Sequence, residues 1–130
     1  MSTNYSVVVN KFAERHYIKK YEKKYKSDWD ATKKGILEGL KRFDMLLDTS
    51  IAEEIICVND ISICKVEFRV ARTKSSRKNS GNRYIIAVHK KNQKIYILFV
   101  YHKNDLKEKN ETAQWKKIIR ENYKEYSFCK

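Results

Sequence analysis

The chain has 130 residues, 42% of them hydrophobic and 35% charged; it is long enough for one core, too apolar to be disordered and too charged to be a membrane protein. Twenty-nine Lys and Arg stand against sixteen Asp and Glu, a formal charge of +13 that suits a polyanion or an acidic protein partner. Pro is absent and Gly numbers 3, which excludes collagen-like and linker-rich classes.

The elements follow in chain order. Tyr5 to Val9 is a β-branched run and a predicted first strand. Asn10 is the predicted N-cap of a helix reaching about Lys26, with Ile18, Tyr21 and Tyr25 on one face. Ser27-Asp28-Trp29-Asp30 reads as a capping box with Asp in place of Glu, restarting a helix to about Leu47. Trp29, Ile36, Leu40, Phe43 and Leu47 form its apolar stripe. Gly35 and Gly39 are expected to allow close approach of a neighbouring helix, because each costs about 1 kcal/mol relative to Ala.

From Ile51 the texture becomes β. Ile61 to Arg72 alternates in its middle, with Cys64, Val66, Phe68 and Val70 on one face and Lys65, Glu67 and Arg69 on the other. A polar loop spans Thr73 to Asn82, and Arg83 to Lys90 is the next strand. Lys91-Asn92-Gln93 is a turn, with Asn92 suited to the left-handed conformation. Lys94 to His102 is a strongly apolar strand. A helix from about Glu111 buries Trp115, Ile118, Ile119 and Tyr126. No repeat or linker interrupts residues 1–130, so one domain is expected. Its order is β-α-α-β-β-β-α: an N-terminal strand, a helical hairpin, an antiparallel meander and a C-terminal helix, an α+β architecture.

The longest apolar run, Ile95 to Tyr101, is too short to span a bilayer, and no leader pattern follows Met1. Cys57, Cys64 and Cys129 form no CxxC, and an odd count suits reduced thiols in a cytoplasmic protein; Cys57 and Cys64 are expected in the core. No P-loop, dinucleotide fingerprint, zinc pattern or nucleophile elbow is present, so neither a metal site nor a cofactor is expected.

The densest chemical signal runs from Lys65 to Arg83. It holds Lys65, Arg69, Arg72, Lys74, Arg77, Lys78 and Arg83, with Glu67 as its sole acid. Lys65 and Arg69 share a strand face, and Arg83 opens the adjacent strand. Converging cations on a rigid sheet suit phosphate binding and stabilisation of a phosphorane-like transition state. The plainer alternative is a solvated charged face. A second cluster, Tyr101-His102-Lys103-Asn104-Asp105, ends the apolar strand, where His102 is the local candidate for proton transfer. Binding of polyanions through this face is expected to weaken with salt.

Several stretches resemble the RelE/ParE superfamily of type II toxins, especially its HigB-like branch. They are Lys65-Val66-Glu67-Phe68-Arg69, Ala71-Arg72 before the basic loop, Ser80-Gly81-Asn82-Arg83-Tyr84-Ile85-Ile86, and Ile97-Leu98-Phe99-Val100-Tyr101-His102-Lys103-Asn104-Asp105. They cover roughly residues 61–120; the first 60 residues match in element order only. The resemblance implies a small toxin neutralised by an acidic antitoxin and cleaving mRNA on the ribosome, through the ribose 2′-hydroxyl and without a metal. By position, Lys65 falls where a strand lysine acts as base or charge stabiliser, Arg83 where an arginine grips the phosphate, and Lys103 at the basic strand end. Glu67 stands where the best-known RNase members carry a second lysine, and Asn104 where some carry arginine.

The expected site joins Lys65, Arg83, Tyr101, His102 and Lys103 as catalytic groups. Arg69, Arg72, Lys74, Arg77 and Lys78 are its RNA- and phosphate-binding surround. His102 would be the general acid, and Tyr101 would stack on a base or donate a hydrogen bond. Glu67 is either a carboxylate base or an ion-pair partner of Arg69 or Arg83. The alternative functions are a non-catalytic ParE-like toxin and a diverged module of the same fold that binds nucleic acid or protein.

Overall fold

The computed structural model describes residues 4–77, 79–106 and 110–130. Five strands form one sheet in the order β1-β5-β4-β3-β2. They are β1 (Ser6–Val9), β2 (Ala52–Val58), β3 (Ile61–Phe68), β4 (Asn82–His89) and β5 (Lys94–His102). The meander β2 to β5 is antiparallel as expected, whereas β1 runs parallel to β5, pairing Ser6 with Lys94 and Val9 with Ile97. The sheet is therefore mixed. β2 is an edge strand missing from the expected order; five of its seven side chains are exposed or half-exposed charged and β-branched groups that give little periodic signal.

Asn10 caps the first helical stretch, its Oδ1 accepting from the Phe12 N–H at 3.0 Å. That stretch is not uniform: α1 (Lys11–Ala13) passes through a π-helical segment, Glu14–Ile18, into α2 (Lys19–Tyr25). The hairpin continues as α3 (Ser27–Lys41) and α4 (Phe43–Leu47), broken at Arg42, whose φ of −115° leaves the helical region. The expected capping box does not form. Lys26, at φ 50°, occupies the cap position of α3, and no side chain among the described residues caps the helix. A positive φ for a non-glycine residue reverses the chain between α2 and α3.

The sheet is covered on both faces. The helical hairpin packs Ala13, Ile18, Tyr21, Trp29, Leu40 and Phe43 onto Cys64, Val66, Phe68, Tyr84, Ile86 and Val88. The opposite face carries α5 (Glu111–Asn122), whose Trp115 and Ile119 are sealed against Ile63, Ile85, Ala87 and Leu98. Each fully buried side chain of this size contributes about 1.5–3 kcal/mol. Among the described residues no helix is long and apolar enough to cross a membrane.

Three local expectations change. A Cβ built on Gly35 or Gly39 meets no atom within 4 Å, so these glycines do not serve close helix packing; they line an open groove of about 280 Å³. Cys57 is exposed rather than in the core. The left-handed residue of the β4–β5 turn is Gln93, at φ 53°, not Asn92.

Candidate phosphate-binding site

One row of side chains crosses the face of the sheet beneath α5. Glu67 on β3 pairs in register with Arg83 on β4, and Arg83 with Tyr101 on β5. Directly opposed residues share a face, so the three groups stand side by side. Lys65 lies on the same face one row away, opposite Ile85. The first residue of α5, Glu111, closes over the row from above. Asn110 fixes that helix start by accepting from the Ala113 N–H at 3.0 Å.

The guanidinium of Arg83 is only 12% exposed and sits between two carboxylates. Its Nε is 3.2 Å from Glu111 Oε2, and its Nη2 is 4.0 Å from Glu67 Oε2. Neither contact is a well-aligned hydrogen bond: among the described residues Arg83 Nε and Nη1 and Glu67 Oε2 are buried without a hydrogen-bond partner. Such groups retain unspent capacity for an incoming ligand. Tyr101 donates its phenol hydrogen to Glu111 Oε2 at 2.6 Å. Burial, then the hydrogen bond and charge of Glu111, hold that phenol above its ordinary pKa of 10.0 against the opposing pull of Arg83.

His102 belongs to the other face. It pairs in register with Asn82, whose Oδ1 accepts from the Tyr21 phenol under the helical hairpin. Both ring nitrogens are engaged: Nδ1 accepts from the Asn104 N–H at 3.1 Å, and Nε2 lies 3.0 Å from the Ser80 carbonyl. One neutral tautomer, protonated at Nε2, satisfies both contacts. The ring lies against Gly81, where an added Cβ would sit 2.6 Å from Nε2; with φ at +80°, Gly81 is required twice over. The general-acid assignment of His102 is corrected accordingly: it is a strand-end brace that does not face Arg83.

A β-bulge explains this reversal. Ile86 pairs with Ile97 and Ile85 with Phe99, so Leu98 is an extra residue on β5. The insertion shifts the alternation and turns Phe99 and Tyr101 toward α5.

The other expected residues disperse. Arg69 is exposed just beyond β3 and, with Arg77, lines the groove that holds Gly35 and Gly39. Arg72, at φ 67°, pairs with Asp28 at 2.6 Å. Lys74 and Lys103 are exposed, in the β3–β4 loop and the turn after β5. Lys78 lies outside the described residues. Of the expected site, the structure brings together Lys65, Arg83 and Tyr101, beside Glu67. It adds Glu111, for which an acidic residue in a helix's first turn is too ordinary a signal to single out. Among the described residues no cluster of three or more His, Cys, Asp or Glu side chains is placed to hold a metal ion.

No family model matches the sequence, and no curated protein matches it. The structure is similar to the crystal structure of an archaeal RelE–RelB complex from Pyrococcus horikoshii OT3. The TM-score is 0.55 at 15% identity, over 77% of this chain and 96% of that chain. This likeness establishes a RelE-like α+β fold.

Proposed function

We propose that the chain is the toxin of a type II toxin–antitoxin system, a single-domain cytoplasmic endoribonuclease of the HigB-like branch that cleaves mRNA at the ribosome without a metal. The observation that carries the reading is Arg83, an under-hydrogen-bonded guanidinium set between Glu67 and Glu111 beside Tyr101 on a RelE-like sheet.

In this reading the scissile phosphate displaces the Glu111 carboxylate from Arg83. Arg83 and Lys65 then stabilise the extra negative charge of the phosphorane. Glu67, whose Oε2 accepts no hydrogen bond among the described residues, takes the proton of the ribose 2′-hydroxyl. The 2′-oxygen bonds to phosphorus, the bond to the 5′-oxygen breaks, and a 2′,3′-cyclic phosphate remains. Tyr101, freed from Glu111, gives the 5′-oxygen its proton; burial, the largest cause of its raised pKa, remains to keep the phenol protonated until then. The partner is an acidic antitoxin segment lying over Lys65 and Arg83, with association accelerated by the +13 charge. The resemblance in sequence and the RelB-bound state of the structural neighbour support that partner.

A second reading is a non-catalytic ParE-like toxin. It is favoured by one observation, the internal neutralisation of Arg83 by two carboxylates. Inducible expression with primer-extension mapping of cellular mRNA decides between them. Growth arrest with cuts inside translated codons, lost in Arg83→Gln, supports the nuclease. Growth arrest with intact mRNA supports the second reading.

A further inference from the structure

β1 covers only the first half of β5, from Lys94 to Ile97. Along the uncovered half, between α2 and the turn after β5, runs a cleft of about 670 Å³. This is the size of a small-molecule site. Its α2 wall carries Lys20, Lys24 and Tyr25, and its floor reaches Asn82. Lys24 Nζ lies 5.2 Å from the Tyr25 ring centroid, so the rim presents cation and aromatic together. Lys19, Lys20, Lys23, Lys24 and Lys26 form no ion pair among the described residues, where Glu22 is the only acid in that stretch.

Asn82 gives the cleft a built polar group. It is 6% exposed, and its Oδ1 is held by the Tyr21 phenol at 3.0 Å. Its amide Nδ2 has no acceptor among the described residues. A fixed donor at the bottom, aromatic walls and lysines at the mouth match the edge, faces and phosphate of a nucleotide. An extended peptide fits less well, because the outward N–H of His102 is already taken by Asp105 Oδ2 at 3.3 Å. Strand addition needs that edge free.

We propose that this cleft binds one nucleotide of a single-stranded nucleic acid, its base against Tyr25 and Asn82 and its phosphate on Lys20 and Lys24. Tyr101 lines the cleft and is the register partner of Arg83, so the cleft adjoins the proposed catalytic row. The proposal deepens the nuclease reading but is tested without cleavage.

The probe is a short oligodeoxynucleotide carrying 2-aminopurine, which lacks the 2′-hydroxyl and cannot be cut by that route. Binding to the full chain is expected to quench the 2-aminopurine fluorescence. Tyr25→Ala should abolish most of the quench and weaken binding about fivefold or more, while Tyr25→Phe restores both. The double variant Lys20→Gln, Lys24→Gln should weaken binding and lower its salt dependence. Arg83→Gln should leave the quench in place, so that loss of cleavage and loss of the cleft are separate results. Binding without quench, or a quench indifferent to Tyr25 and both lysines, would overturn the proposal. So would an acidic peptide that protects the cleft where the oligonucleotide does not.

Discussion

Glu111 Oε2 lies 3.2 Å from Arg83 Nε and 2.6 Å from the Tyr101 phenol oxygen, so a carboxylate of α5 engages both groups at once. In the proposed function, this carboxylate stands where a phosphate oxygen would bind. The body of α5 is fixed by Trp115 and Ile119, both fully buried, whereas the Glu111 side chain is 27% exposed.

Neutralising that carboxylate should therefore strengthen anion binding. Glu111→Gln is expected to raise affinity for inorganic phosphate about tenfold, measured by calorimetry, because a like-charge competitor leaves a partly buried cation. An unchanged or weaker affinity would show that Glu111 only braces the helix start.

In the nuclease reading, loss of either Arg83 or Glu67 slows cleavage. Arg83→Gln should lower cleavage by about 10² to 10³, the effect of losing one preorganised donor. Glu67→Gln should lower it by about 10² to 10⁴ if Glu67 is the base. Single-turnover cleavage of a defined RNA on ribosomes measures both. Wild-type rates in Glu67→Gln would reduce Glu67 to a charge partner of Arg83.

His102 should matter for stability rather than chemistry. His102→Ala is expected to cost about 1 kcal/mol through its two hydrogen bonds, with cleavage changed only a few fold. Gly81→Ala should cost about 1–3 kcal/mol from its positive φ, plus the clash with the imidazole. The double variant should cost less than the sum, since removing the ring removes the clash. Urea denaturation of the four proteins tests the coupling.

The three thiols should divide by burial. Cys57 is exposed and should react at once with a disulfide reagent. Burial pushes Cys64 up to about 12 and Cys129 up to about 11, so neither is a thiolate near neutrality. Native protein is expected to titrate one thiol and denatured protein three. Rapid reaction of more than one in the native state would contradict the buried positions.

Alkaline pH should unfold the chain. Burial raises the phenols of Tyr21, Tyr84, Tyr101, Tyr123 and Tyr126 above their ordinary 10.0. The folded state keeps their protons where the unfolded state loses them. Their contribution is intact below pH 10.0 and is lost as pH rises toward the folded values. Denaturation midpoints should be flat across neutral pH and fall above about pH 10, in step with phenolate absorbance. Full phenolate absorbance from a folded protein would refute the assignment.

Sequence by itself determined the helical hairpin, the three long strands and α5: Cys64, Val66 and Phe68 alternate on β3, β4 and β5 are continuous apolar runs, and Trp115 and Ile119 repeat at helical spacing. It also put Lys65 and Glu67 on one face of β3, where charge alternates with apolar groups, and Arg83 at the start of the adjacent strand; the register then set Arg83 opposite Glu67. Only the tertiary structure decided the side of Tyr101 and His102. Ile95 to Tyr101 is covered on both faces, so its side chains are apolar throughout and carry no parity; one extra residue, Leu98, then exchanges the faces of everything after it. The same holds for Glu111 and for the parallel pairing of β1 with β5. Each depends on where a distant segment returns to the sheet, and a local pattern holds no record of that return.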